Sequence, residues 1–96
     1  MIKKDKAFVL RASQALKSIS HADRLSILML LGCGKELSVS AIQSETGLTQ
    51  SMTSQHLAAM RRSGILSGKR DKNKVYYSIA NKDILKVISC MKNCPN

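Results

Sequence analysis

Apolar residues recur every three to four positions over most of the chain and every second position in one stretch near residue 77. Phe8, Ala12, Ala15, Leu16 and Ile19 form a helical stripe, which predicts a first amphipathic helix over residues 5–19. Ser20-His21-Ala22-Asp23 has the form of a capping box ahead of the run Leu25-Ser26-Ile27-Leu28-Met29-Leu30-Leu31. That run is too short to span a membrane and fits a buried second helix, broken by Gly32-Cys33-Gly34. Ser38 is placed to cap a short third helix reaching Glu45, with Val39 and Ile42 inward and Gly47 as the bend that leaves it. Thr49 can cap a fourth helix that continues to about Ser63, with Gly64 as its stop. Leu66–Arg70 and Lys74–Ile79 are two strand candidates around Asp71-Lys72-Asn73. In the second, Val75, Tyr77 and Ile79 alternate with Tyr76 and Ser78, the period of a half-buried strand. Asn81 caps a last helix over about 82–94, with Asp83 in its first turn and Ile84, Leu85, Ile88 and Met91 on its apolar side.

The fourth helix changes the picture from fold to partner. On a helical wheel Thr53, Leu57 and Met60 make a narrow apolar stripe with His56 at its margin. Gln50, Ser51, Ser54, Gln55, Ala58, Arg61 and Arg62 fall on the opposite side. The first two turns of that side carry no Lys, Glu or Asp, whereas a helix kept only for solubility carries charged pairs four residues apart. Gln pairs bidentately with adenine and Ser donates or accepts at base edges, while arginines at the helix end suit phosphates. A surface helix poor in charge for no reason has the same composition. The neighbours favour the nucleic-acid reading. A short helix, a glycine turn and a second helix with a polar outer face form a helix-turn-helix, and the basic hairpin after it forms a wing. The expected fold is therefore mainly α with a small β-hairpin. It is a winged helix-turn-helix of about five helices plus a two-stranded wing, in one domain spanning 1–96.

Charge agrees. Sixteen basic against six acidic residues make the chain +10, a property that concerns partners more than fold. Between Thr46 and Ile79, Arg61, Arg62, Lys69, Arg70, Lys72 and Lys74 stand against Asp71 alone. Aromatic residues are 3%, so the core must be built from Leu, Ile, Val, Met and Ala. No apolar run is long enough for a membrane span, no signal-peptide pattern opens the chain, and a cytosolic location is expected. His21 and His56 have no nucleophile and orienting acid beside them, and no phosphate loop or paired-carboxylate motif occurs, so neither an enzyme nor a cofactor is implied. A winged helix that binds a protein is the remaining rival, although its interface core should be apolar and aromatic.

Five pieces, in order and at the right spacing, resemble the ArsR/SmtB family of bacterial winged helix-turn-helix repressors. They are Ser20 to Leu28, Glu36-Leu37-Ser38-Val39, Leu48 to Ser51 with Ser54 to Leu57, Arg61 to Leu66, and Val75 to Ile79. The resemblance implies a homodimer that binds double-stranded operator DNA and releases it when a small inducer arrives. It implies base contacts at Gln50, Ser51, Ser54, Gln55 and His56 on the helix capped by Thr49. It also implies that the terminal helices, about 5–19 and 82–94, pack across the two-fold axis, although periodicity is equally satisfied by packing within one chain. Family wings carry a glycine near position 73, where this chain has Asn73, a residue that tolerates left-handed backbone.

The inducer is not the family's usual metal. The two-cysteine site of arsenic sensors aligns with Ser38 and Ser40, and the last helix has Asp83 but no histidine to build the zinc site. Three cysteines remain: Cys33, Cys90 and Cys94. They serve as small apolar fillers, as a thiol switch, or as a rearranged site for arsenite or another soft metal. Some relatives sense reactive sulfur or oxidants by bridging a second-helix cysteine to one near the C-terminus. In those relatives the first cysteine aligns near Met29, one turn before Cys33, and the second within a couple of residues of Cys94. Cys90 and Cys94 share a helix face if the helix persists that far, and Lys92 nearby favours thiolate. A Cys33–Cys94 bridge requires Cα atoms about 4.4–6.8 Å apart.

Overall fold

The computed structural model describes residues 6–94, without the side chains of Phe8 and Ser18. In chain order the elements are α1 (Lys6–Ser18), α2 (Ala22–Leu31), β1 (Leu37–Ser38), α3 (Val39–Thr46), α4 (Gln50–Arg62), β2 (Leu66–Asp71), β3 (Lys74–Ile79) and α5 (Lys82–Met91). A single 3-10 turn, Gly32–Gly34, follows α2. The expected start of the first helix at residue 5 lies outside the described residues.

Helix ends follow the caps read from sequence, with one exception. Ser38 Oγ accepts from Ala41 N–H, Thr49 Oγ1 from Met52 N–H, and Asn81 Oδ1 from both Asp83 and Ile84 N–H. Each satisfies donors that the first helical turn leaves unpaired. At α2 the cap is His21 and not Ser20: His21 Nδ1 accepts from Asp23 N–H at 3.1 Å. Ser20 Oγ instead donates back to the Lys17 carbonyl, closing the end of α1.

The core is one cluster. Ile27, Leu28 and Leu31 of α2, Ile42 of α3, and Leu57 and Met60 of α4 are buried with Ile65, Leu66, Ile79, Ile84 and Ile88. Thr53 is buried with them because its hydroxyl donates to the Thr49 carbonyl at 2.8 Å, leaving its methyl to pack. α1 lies at the edge, contributing Ala15 and Ile19 to this cluster, while Leu16, read as part of its inner stripe, is exposed. Met91 of α5 is likewise exposed and not inward, and Val87 stands beside it on the same side. Between α1 and α5 runs an open groove of about 970 Å³, lined in part by Ala12, Leu16, Ile84 and Val87.

The wing is the expected hairpin of two strands, β2 and β3, and a further short strand joins its sheet. β3 is central in a three-stranded antiparallel sheet of order β1-β3-β2, with Leu37 opposite Tyr77 and Leu66 opposite Ile79. Two residues of β1 carry too little pattern to be read as a strand. Their partner explains why the alternation in β3 is blunted, since Val75 to Ser78 are all half-buried. Asp71 extends β2 and pairs with Lys74, so the turn is the two residues Lys72-Asn73. The left-handed position in it is Lys72 (φ 60), not Asn73, consistent with a two-residue hairpin turn whose first residue has positive φ.

Candidate nucleic-acid interface and cysteine pair

α4 lies on the body through Thr53, Leu57 and Met60 and turns its other side outward. Gln50, Ser51, Ser54, Gln55, Arg61 and Arg62 are exposed and Ala58 is half-buried, so this part of the wheel is realised as a surface. α3 and α4 are joined through Gly47, which holds φ 74 and donates its N–H to the Gln43 carbonyl. That left-handed cap is the geometry glycine adopts without a Cβ penalty, and it turns the chain from one helix into the next. Lys69, Arg70, Lys72 and Lys74 are exposed on the wing, next to Asp71 at the turn. Arg61 belongs to both parts: its guanidinium lies over Gly68 of β2, where a β-carbon would come within 3.1 Å of Nη1. One surface therefore carries neutral polar side chains on the helix and cations at its end and on the hairpin.

His56 differs from its neighbours on α4. Its side chain is 12% exposed and Nδ1 accepts a hydrogen bond from Arg24 Nε at 3.0 Å. That bond assigns the proton of the neutral ring to Nε2, which faces Asp23 Oδ2 at 3.7 Å. The His21 ring lies 4.8 Å away, centroid to centroid. Burial, Arg24 and His21 hold the His56 pKa below the usual imidazole value, and Asp23 opposes them. His21, Asp23 and His56 bring ligand atoms within 4.8 Å of one another. Both Nδ1 lone pairs are already committed, to Asp23 N–H and to Arg24, so each ring is fixed in place by a hydrogen bond at that atom. Sequence spacing does not reveal it, because His56 is more than thirty residues from its partners.

The cysteines separate into a pair and a single thiol. Cys33 and Cys94 are joined by a disulfide with Cα atoms 5.7 Å apart, and Cys90 is free and exposed. The expected helix through residue 94 does not persist: α5 ends at Met91, Asn93 takes φ 57, and Cys94 N–H returns to the Ser89 carbonyl at 3.0 Å. This left-handed ending swings Cys94 off the helix axis towards the turn after α2. Cys33 is itself left-handed (φ 66), and its N–H donates to Ser89 Oγ at 3.1 Å. Ser89 thus orders both cysteines, one through its carbonyl and one through its hydroxyl. A serine on the side of a helix carries no sequence signal for that role. Lys92, noted for its charge, lays its aliphatic chain against Gly32, where a β-carbon would meet Cδ at 2.7 Å.

The chain from 21 to 67 matches the model described as bacterial regulatory protein, arsR family. It is 40% identical over 87 residues to the HTH-type transcriptional regulator YgaV of Escherichia coli K12, spanning 88% of each chain. It is 33% identical over 81 residues to the transcriptional activator HlyU of Vibrio cholerae, spanning 84% of this chain and 74% of that one. Among solved structures, reduced HlyU from V. cholerae superposes with a TM-score of 0.87 at 29% identity, over 98% of this chain and all of the other. The homodimeric winged helix-turn-helix DNA-binding domain of Mb0332 from Mycobacterium bovis superposes with a TM-score of 0.80 at 27% identity, over 97% of this chain and 85% of that one.

Proposed function

Because the chain belongs to the bacterial arsR family of regulatory proteins, we propose that it is a homodimeric repressor whose hold on an operator is switched by the Cys33–Cys94 pair. Membership makes it a transcriptional regulator with a winged helix DNA-binding fold, and not an enzyme. No helix among its described residues is long and apolar enough to cross a membrane.

In this reading α4 enters the major groove. Gln50, Ser51, Ser54 and Gln55 read base edges, while Thr49, Arg61 and Arg62 and the wing cations Lys69, Arg70, Lys72 and Lys74 hold the phosphates. His56 supports the helix from behind. The terminal helices form the dimer interface, since the α1–α5 groove leaves Leu16, Val87 and Met91 exposed, and an apolar surface of this kind suits a second copy. Two copies present two reading helices to half-sites about one helical turn apart.

The observation that carries the switch is the separation of 5.7 Å between the Cα atoms of Cys33 and Cys94. The bridge ties the end of α2, which supports the reading head, to the end of α5, which lies at the proposed interface. Its formation takes two protons and two electrons from the thiols. The acceptor is a polysulfide or a small disulfide, whose own S–S bond breaks and whose sulfurs leave as thiol or hydrogen sulfide. The crosslink alters the angle between the paired reading helices, so that they no longer match successive major grooves. In the bridged form Cys90 alone remains a thiol, so a soft metal would have to act on the reduced protein.

Fluorescence anisotropy tests this with labelled DNA from upstream of the protein's own gene, at two salt concentrations. Reduced protein binds tightly and with strong salt dependence, and polysulfide weakens it. Cys33→Ser and Cys94→Ser bind as the reduced protein does and ignore polysulfide. A response that survives in both variants refutes the switch, and affinity independent of salt refutes the DNA reading in favour of a protein partner.

A further inference from the structure

We infer that His56 is a positioning residue for base recognition, clasped as a neutral imidazole between Arg24 and Asp23, and that protonating it loosens the clasp and weakens sequence discrimination. The inference rests on α4 being the reading helix.

Thr53, Leu57 and Met60 set how deeply α4 sits, but apolar contacts are not directional and leave rotation about the helix axis weakly defined. The clasp is directional. Arg24 Nε donates to His56 Nδ1 at 3.0 Å, and Nε2–H faces Asp23 Oδ2 at 3.7 Å. Both partners stand on the first turn of α2, a helix anchored by Ile27, Leu28 and Leu31, each with no exposed surface. His56 directly follows Gln55, so a rotation that moves the ring also moves the proposed reading side chains. Hydrogen bonds to base edges tolerate only a few tenths of an ångström in distance.

The clasp needs a neutral ring. A second proton sits on Nδ1, where Arg24 already points its own N–H, so acceptor becomes donor and two cations meet at hydrogen-bond distance. The charged and titratable groups facing His56 are Arg24 and Asp23 of α2 and His21 at its cap. Arg24 and His21 oppose protonation and Asp23 favours it, while burial of the ring also opposes it.

The test uses reduced full-length protein and a duplex selected by that protein from a random pool at about pH 7.5. The quantity read is the ratio of its affinity to that of a scrambled duplex, from about pH 7.5 to 5.5, a window containing the ordinary imidazole range. The ratio removes the general gain in DNA attraction that acid brings. Circular dichroism at each pH confirms that the protein is folded. The wild-type ratio falls on acidification by up to about tenfold per pH unit for each protomer of the bound dimer, the limit for one linked proton apiece. His56→Gln keeps the clasp with a group that does not titrate, its carbonyl accepting from Arg24 and its amide donating to Asp23. Its ratio stays near the wild-type value of pH 7.5 throughout. Should that variant not fold, the other two partners decide. Asp23→Asn moves the midpoint to lower pH and Arg24→Gln moves it to higher pH, shifts that a role in packing alone does not produce. A flat wild-type ratio, or midpoints indifferent to the partner variants, overturns the inference while leaving DNA binding intact. Failure to select any duplex overturns the DNA-binding reading itself, and this inference with it.

Discussion

Reducing the Cys33–Cys94 bridge should lower the melting temperature without unfolding the protein at room temperature. The cysteines are separated by 61 residues, and the chain-entropy relation for a loop of that length gives about 14 cal/mol/K, or about 4 kcal/mol at 25 °C. Part of this is returned on reduction. Cys33 is held at φ 66, which costs a residue other than glycine about 1–2 kcal/mol, and a freed Cys33 can relax. The net loss is about 2–3 kcal/mol. For a domain of this size each kcal/mol moves the midpoint by about 4–8 °C, so reduction should cost about 10–20 °C. The assay is circular dichroism melting of Cys90→Ser, which prevents reshuffling, with and without a phosphine reductant. Protein concentration is held fixed because a dimer melts in a concentration-dependent way. Cys33→Ser in either buffer should melt with the reduced protein. Oxidised and reduced melts that agree within about 2 °C, well under the shift from one kcal/mol, would refute the closed loop.

Three further outcomes follow from the same geometry. Gln55→Ala should cost about 1–3 kcal/mol per half-site on the cognate duplex and little on random DNA, whereas Lys72→Ala and Lys74→Ala should weaken both alike and each reduce the salt slope by about two for the dimer, one per protomer, all read by anisotropy. Ser89→Ala removes the hydroxyl that accepts from Cys33 N–H; it should destabilise the protein by about 0.5–1.5 kcal/mol and slow bridge formation by polysulfide in a thiol-trapping time course. For His56, whose folded pKa is lowered from 6.5, the folded state takes up a proton less readily than the unfolded one. Its contribution to stability is whole above about pH 6.5 and is lost as pH falls from there through the folded pKa. Urea midpoints of His56→Gln should therefore lack that portion of the wild-type acid decline.

Most of the architecture is local in origin, which is why the chain by itself determined it. The caps at Ser38, Thr49 and Asn81 act within three residues, and Gly47 and Gly64 turn the backbone by freedom of their own. The period of the apolar positions selected the inner side of α4, and its neutral polar outer side was readable for the same reason. Contacts between distant segments left no such trace. β1 is a strand only because β3 offers an edge to Leu37 and Ser38, and two residues are too few for a periodic signal. On a wheel His56 only marks the margin of the apolar stripe, and its hydrogen bond from Arg24 and its approach to Asp23 appear only in the folded chain. α5 stops three residues short of Cys94, and that early ending, with Ser89 beneath both cysteines, is what brings Cys94 to Cys33. Hydrogen bonds and sulfur pairing act over a few ångströms regardless of separation along the chain. The neutral polar side of α4 was therefore legible in the sequence, and only the tertiary structure decided what holds that helix and which two cysteines are paired.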